Sequence, residues 1–231
     1  MDSTKITIYH GSDHVIEKPI YGYGASTNDY GKGFYCTKSQ ELAKEWACGS
    51  GDNGFSNEYQ LELAGLKILR LNDPPYNILN WLAVLTKNRT YWQNSSISAD
   101  AKEYLQKHFY VDLSGYDIVI GYRADDSYFS FAQDFVAGTI SLQKLQRAMH
   151  LGELGELGEQ IVLKSSKAFD NIEFMSYEVA QASVYFDKKS DRDLRARKAY
   201  RDDKKTGSGI NELFMIDIMR GNIQNGDPRL Q

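Results

Sequence analysis

The chain has 231 residues, of which 42% are hydrophobic and 25% are charged, and its formal net charge is −4. This length and composition fit one domain with an appendage and exclude collagen-like and disordered chains, while the small negative charge gives no reason to expect non-specific nucleic-acid binding. The first residues lack the apolar segment of a secretion signal, no stretch reaches transmembrane length, and the two cysteines form no disulfide or metal pattern. We therefore expect a cytoplasmic protein without membrane contact or bound metal.

The first third of the chain predicts two strands and a helix around a glycine-rich loop. Ile6–His10 is predicted to be a strand, residues 11–33 a loop, and Phe34–Cys36 a short strand or turn. Thr37–Gln40 fits a capping box in which Thr37 is the N-cap and Gln40 reaches back, which predicts a following helix. The apolar face of that helix comprises Leu42, Ala43, Trp46 and Ala47.

The middle of the chain predicts further short strands separated by helices. Glu58–Leu63 and Leu66–Leu71 alternate like the two strands of a hairpin, with Ala64 and Gly65 between them. The later predicted helices cover residues 73–85, 98–108, 128–137 and 141–150, and the later predicted strands cover 116–122, 160–164 and 172–177. Residues 151–159 repeat Leu-Gly-Glu and are predicted to be a loop, because glycine destabilises helices.

This order of elements predicts an α+β fold of short, mostly antiparallel strands with inserted helices. The dinucleotide-binding glycine motif, the P-loop, the zinc-binding helix motif and the nucleophile elbow are all absent from the sequence. A Rossmann cofactor site is therefore not expected. The chemistry has to be sought in patterns that are specific to this chain.

The C-terminal part of the chain differs in character from the rest. Residues 187–205 contain nine Lys or Arg against five Asp, and residues 211–220 carry apolar side chains at partly helical spacing. We interpret residues 1–185 as the main domain and residues 186–231 as a helical C-terminal extension. An apolar stripe must be buried somewhere, so the extension either packs on the domain or binds a partner.

Several segments, taken in order, carry a resemblance to a known group of proteins. They are Tyr9–Ser12, Gly31–Thr37, Ala43–Ala47, Tyr116–Gly121 and Gln160–Ser165. Their histidine, exposed glycine backbone and tyrosine face suit a flat aromatic amide attached to a ribose. Over roughly residues 5–175, the chain resembles a bacterial family of uncharacterised ADP-ribosyltransferase-like proteins. That family belongs with the His-Tyr-Glu/Gln enzymes such as diphtheria toxin and the poly(ADP-ribose) polymerases. The resemblance implies an ADP-ribosyltransferase-like core and NAD as the substrate.

The resemblance also implies roles for individual residues. His10 corresponds to the histidine that hydrogen-bonds the ribose next to adenine, and Gly11 to the residue whose backbone clamps the nicotinamide carboxamide. Tyr35 corresponds to the tyrosine that stacks on the nicotinamide ring. Gln160 corresponds to the residue, often Glu, that holds the ribose 2′-hydroxyl on the nicotinamide side. His10, Tyr35 and Gln160 are thus the expected catalytic residues.

Other residues complete the predicted site, and some alternatives stay open. The predicted NAD-binding set is His10, Gly11, Ser12, Lys32, Gly33 and Tyr35. Lys32 either contacts the pyrophosphate or is a solvated loop lysine, and Tyr21, Tyr23 and Thr37 are further candidates for the pocket wall. Glu159 replaces Gln160 in the cleft if the strand register slips by one residue. Asp125 and Asp126 are either an acceptor-side base or a helix N-cap.

The implied function is NAD-dependent mono-ADP-ribosyl transfer to a protein or nucleic-acid acceptor. Gln at the third position cannot remove a proton from an acceptor, which disfavours chain elongation. Such domains can serve as toxins that are paired with a small antitoxin protein. The alternatives are a non-catalytic module that binds NAD or ADP-ribose, and an NAD glycohydrolase.

Overall fold

The computed structural model describes residues 4–90, 96–124, 126–150, 159–207, 209 and 211–230. The strands are β1 Lys5–Ser12, β2 Phe34–Cys36, β3 Gly54–Glu62, β4 Ile68–Arg70, β5 Ile118–Tyr122, β6 Glu159–Leu163 and β7 Ile172–Ala180. The helices are α1 Gln40–Ala47, α2 Ile78–Asn88, α3 Ser96–His108, α4 Asp126–Val136, α5 Leu142–Met149, α6 Ser166–Asp170, α7 Ala182–Lys205 and α8 Met215–Arg220. None of the helices in the described ranges is long and apolar enough to cross a membrane.

The strands form two sheets, and the predicted α+β class is confirmed. One sheet has the order β1-β3-β7 and is antiparallel throughout. The other has the order β2-β6-β5-β4, in which β4 and β5 pair in parallel and the remaining neighbours are antiparallel. The Leu-Gly-Glu repeat of residues 151–158 lies outside the described residues.

The predicted hairpin between residues 58 and 71 is wrong. Its first half lies in β3 and its second half contains β4, and these two strands belong to different sheets. The chain turns at Leu63, whose N–H donates to Thr4 and whose carbonyl accepts from Leu66. Lys67 then exchanges hydrogen bonds with Asp117, the residue before β5. Alternation predicts which side of a strand is buried, but it does not predict the neighbouring strand.

The N-cap of α1 also differs from the prediction. The Ser39 hydroxyl, not that of Thr37, accepts the hydrogen bond from the N–H of Leu42. Thr37 instead pairs with Tyr9 through both backbone groups, at 2.8 and 2.9 Å, and its hydroxyl accepts from the N–H of Ser39. A backbone partner from β1 therefore fixes Thr37 outside the helix.

Two apolar cores lie on the two faces of the four-stranded sheet. In β6, Ile161 and Leu163 face the three-stranded sheet and pack with Ile8 and Leu61. Val162 faces the opposite way, into a core that the helices cover. This alternation follows from the two-residue period of a strand. It also places Gln160 on the same face of β6 as Val162.

The C-terminal segment contributes to the helical core. Buried side chains of α7 and α8, together with two that follow them, pack in the same cluster as Trp81 of α2. They are Tyr200, Met215, Ile218, Ile223 and Leu230. The predicted boundary after residue 185 falls inside α7. The sequence left open whether the extension packs on the domain or binds a partner. These contacts show that it packs on the domain.

Candidate functional site

A cavity opens where β1 and β2 part. Tyr9 and Thr37 form an isolated bridge between the two strands, and the same register sets Gly11 opposite Tyr35. Pairing does not continue to that position, because β1 and β2 belong to different sheets. A cavity of about 820 Å³ occupies this fork. His10 and Ser12 of β1, Phe34 and Tyr35 of β2, Gly33 and Gln160 all line it.

His10 is held in one orientation and one tautomer. Its Nδ1 lies 2.7 Å from the carbonyl oxygen of Tyr35, and its ring packs against that of Phe34 with centroids 4.3 Å apart. A carbonyl can only accept, so Nδ1 carries the proton and Nε2 of the neutral ring is an acceptor. Burial lowers the pKa of His10 because it disfavours the charged imidazolium. The residue is therefore suited to accept a hydrogen bond from a hydroxyl.

Tyr35 presents a fixed aromatic ring to the cavity. Its hydroxyl donates to the carbonyl of Gly31 at 2.6 Å and accepts from the N–H of Tyr30 at 3.1 Å. Burial raises the pKa of this phenol, which keeps it neutral. The ammonium of Lys164 donates to the carbonyls of Tyr30 and Lys32 and so fixes the turn that precedes β2. The ring is therefore oriented without any ligand.

Gly33 is required by the close packing of this turn on β6. A Cβ atom there would lie 2.5 Å from Cγ1 of Val162 and 2.9 Å from the carbonyl oxygen of Leu163. Any larger residue would push β2 away from β6. The glycine therefore allows the start of β2 to lie close against β6.

Gln160, not Glu159, lines the cavity. The Gln160 side chain is 7% exposed, and its Oε1 is buried without a hydrogen-bond partner among the described residues. Glu159 faces away and accepts from Nδ2 of Asn72 at 3.1 Å. An unsatisfied buried acceptor costs free energy, which a hydroxyl donor of a ligand would recover.

The loop after β1 covers one side of the cavity and depends on Asn57. This side chain is fully buried, donates to the Ser12 hydroxyl at 2.9 Å and accepts from the N–H of Ile16 at 2.9 Å. The Ser12 hydroxyl in turn donates to the carbonyl of His14 at 2.6 Å. Beyond this anchor, Tyr23 lies on the rim of the cavity and is 85% exposed. Ser12 thus orients the loop, a role that Asn57 shares and that the sequence did not reveal.

Several predicted residues lie elsewhere. Gly11 is not a lining residue, but its backbone groups lie on the same edge of β1 as those of Tyr9, since alternate residues of a strand share an edge. Lys32 is exposed and Thr37 is buried in its pair with Tyr9, and neither lines the cavity. Tyr21 packs its ring against Phe169 instead. Asp125 and the side chain of Asp126 lie outside the described residues.

Charged residues that sequence reasoning missed also reach the cavity. Asp29 is 2% exposed, and its carboxylate accepts from two nitrogens of Arg89, at 2.7 and 2.6 Å, and from the N–H of Ala124 at 2.9 Å. The Arg123 guanidinium lies 4.4 Å from the ring centre of Trp46. Lys189 of α7 lines the same cavity. These residues are far apart in the sequence, so no local pattern links them.

The part of the site that the structure describes has no arrangement typical of a metal centre. Within the described ranges, no three His, Cys, Asp or Glu side chains cluster as a metal ion would require. The exposed Glu17, on the covering loop, is the other carboxylate besides Asp29 among the described lining residues. The described lining offers aromatic faces, hydrogen-bonding groups and basic side chains.

Comparison with known proteins identifies the family of the chain. The comparisons with curated proteins and with solved structures found no match. A family model described as "Protein of unknown function (DUF3990)" matches residues 6–174. The match includes the fork, His10, Tyr35 and Gln160, whereas α7 and α8 lie beyond it. Because the match covers well over half of its length, the chain belongs to the DUF3990 family of proteins of unknown function.

Proposed function

We propose that this protein is an NAD-dependent mono-ADP-ribosyltransferase with an ADP-ribosyltransferase-like core. The observation that carries the proposal is the convergence of His10, Tyr35 and Gln160 on one cavity, where Gln160 Oε1 has no partner among the described residues. The cavity, at about 820 Å³, lies within the range of small-molecule sites. The resemblance of the ordered sequence segments supports the same conclusion.

Each of these residues has a role that its geometry allows. The Tyr35 ring stacks on nicotinamide, which contributes on the order of 0.5–1.5 kcal/mol beyond burial. Gln160 Oε1 accepts a hydrogen bond from a hydroxyl of the ribose next to nicotinamide. His10 Nε2 accepts a hydrogen bond from a hydroxyl of the ribose next to adenine. Cleavage of the C–N bond between ribose and nicotinamide passes through an oxocarbenium-like transition state, as in glycoside hydrolysis. Nicotinamide leaves as a neutral molecule, so the protein mainly orients and holds the substrate.

The carboxylates near the site support single transfer rather than polymer formation. Asp29 is occupied by Arg89 and Ala124, and Glu159 is turned towards Asn72. The Gln160 amide can hold a hydroxyl but cannot remove its proton. An acceptor that is already nucleophilic, on a protein or a nucleic acid, is therefore proposed. By resemblance, the protein acts in the cytoplasm as a toxin that a small antitoxin protein neutralises.

The experiment measures nicotinamide release from NAD by the purified protein, with and without cell extract. Adenylate-labelled NAD is included so that transfer to a macromolecule can be followed. We expect release together with labelling of an acceptor in the extract, and loss of both in Tyr35→Ala and His10→Ala. Absence of nicotinamide release by the folded protein, both with and without extract, would overturn the proposal.

Gln in place of a carboxylate favours a second candidate, a module that binds NAD or ADP-ribose without cleaving it. Such a module would bind NAD and release no nicotinamide under either condition. An NAD glycohydrolase would release nicotinamide without extract and label no acceptor. The same assay therefore separates the three activities.

A further inference from the structure

We infer that Arg123 and Lys189, which line the cavity together with Trp46, form a diphosphate subsite. Here "diphosphate subsite" means these three residues, all of which line the cavity. The identity of the ligand rests on the proposed function, because NAD carries a diphosphate between its two nucleosides. The residues themselves point to an anion without that assumption.

Arg123 is held in place by an aromatic platform. Its guanidinium lies 4.4 Å from the centre of the Trp46 ring, within the range of a cation–π contact. Trp46 is fixed on α1, and Arg123 directly follows β5. A planar guanidinium offers paired N–H donors that match two phosphate oxygens. The platform therefore presents an oriented phosphate donor to the cavity.

Lys189 reaches the cavity because α7 is fastened to α1. Arg192 of α7 pairs with Glu45 of α1 at 2.8 Å, and both side chains are nearly buried. Lys188 pairs with Glu41 at 2.9 Å, and the Tyr185 hydroxyl donates to the same carboxylate. A buried ion pair is retained only with good geometry, so these contacts fix the helix in register. The intervening Lys189 is thereby directed to the cavity.

The ammonium of Lys189 lies beside Gly49, which closely follows α1, and no carboxylate neutralises it among the described residues. Its Nζ and the carbonyl oxygen of Trp46 both lie within about 3.5 Å of the position that a Cβ on Gly49 would occupy. Its neighbours Lys188 and Arg192 both have carboxylate partners, whereas Lys189 has no ion pair among the described residues. A positive charge at a cavity wall attracts an anion.

The charges of the cavity agree with a ligand that is anionic in its middle. His10, Tyr35 and Gln160 are uncharged when His10 is neutral, which suits the nicotinamide and the two riboses that flank the diphosphate. Among the described lining residues, Asp29 is neutralised by Arg89, and the loop carries one residue of each sign. Lys189 adds a positive charge to the wall of the cavity, and this charge is opposite in sign to those of a diphosphate.

The test compares ligands with and without phosphates in a charge-neutralised variant. Calorimetric titration of Lys189→Gln should show about tenfold weaker binding of ADP-ribose, because a hydrogen bond to a charged group is lost. Binding of nicotinamide riboside, which has no phosphate, should be unchanged. The remaining affinity for ADP-ribose should depend less on salt than in the wild type. Lys205→Gln, an exposed change near the end of the same helix, is the matched control and should behave as wild type.

The outcomes separate this inference from the proposed transferase. Binding of ADP-ribose that depends on Lys189, without nicotinamide release, would support the subsite and overturn the transferase. Cleavage of NAD with the same KM in wild type and Lys189→Gln would overturn the subsite and leave the transferase supported. A wild-type protein that does not bind ADP-ribose would also overturn the subsite. Arg123→Lys keeps the positive charge but loses the paired donors, so it should weaken ADP-ribose binding as well. Melting temperatures establish that each variant is folded.

Discussion

At the scale of single residues, Glu159 and Gln160 show how neighbours in a strand can have different roles. Gln160 lines the cavity and Glu159 bonds to Asn72. Gln160→Ala should lower kcat/KM for nicotinamide release about tenfold to a hundredfold, because the proposed transferase would lose its hydrogen bond to the ribose. Glu159→Gln, which keeps the shape of the side chain, should leave it unchanged. Nicotinamide release measured on both variants tests this, and the reverse pattern would assign the role to Glu159.

The protonation of His10 predicts a pH dependence of stability. Burial lowers its pKa below the usual value of about 6.5, so below that pH the unfolded chain binds a proton that the folded protein does not. The contribution of His10 to stability is therefore complete above about pH 6.5 and decreases as the pH falls through that value. His10→Gln should melt with a smaller difference between pH 8 and pH 5 than wild type. An identical difference would show that His10 is not responsible.

At the scale of elements, the approach of α1 to β1 depends on Gly11. A Cβ at this position would lie 2.0 Å from the carbonyl oxygen of Ala43, which belongs to the helix backbone and cannot move alone. Gly11→Ala should therefore reduce the free energy of unfolding by about 1–3 kcal/mol, the usual cost of overpacking. Because His10 precedes it and Trp46 lies on α1, NAD affinity should fall as well.

Chemical denaturation of Gly11→Ala beside Gly115→Ala provides the measurement. Gly115 has open space around its Cβ position, so its change should cost almost nothing. Equal stabilities of the two variants would mean that α1 can shift without cost.

At the scale of the whole molecule, the C-terminal helices stabilise the fold that carries the site. Ile218 of α8 is fully buried in the same core as Trp81. Ile218→Ala should cost about 2–5 kcal/mol, because a large core side chain is replaced by a small one. Leu194→Ala on α7, where the side chain is 61% exposed, is the control and should change stability by less than about 0.5 kcal/mol. Thermal unfolding that is equal in both would show that α8 is not part of the cooperative core.

The sequence by itself determined the features that depend on neighbouring residues. Short apolar segments predicted β1, β5 and β6, and helical patterns predicted α2 to α5 to within a few residues. The family resemblance of the ordered sequence segments nominated His10, Tyr35 and Gln160, which the fold brings to one cavity. These inferences succeed because a strand or a helix presents its side chains at a fixed local repeat.

Only the tertiary structure decided which elements are neighbours. The partners of β3 and β4, the contact of Asp29 with Arg89 and the approach of Lys189 to Gly49 all join residues that are distant in the chain. Such contacts depend on how the apolar faces of all elements are buried together, a quantity that no local pattern contains. The choice of Gln160 over Glu159 also belongs here, because it requires knowing which face of β6 the cavity lies on.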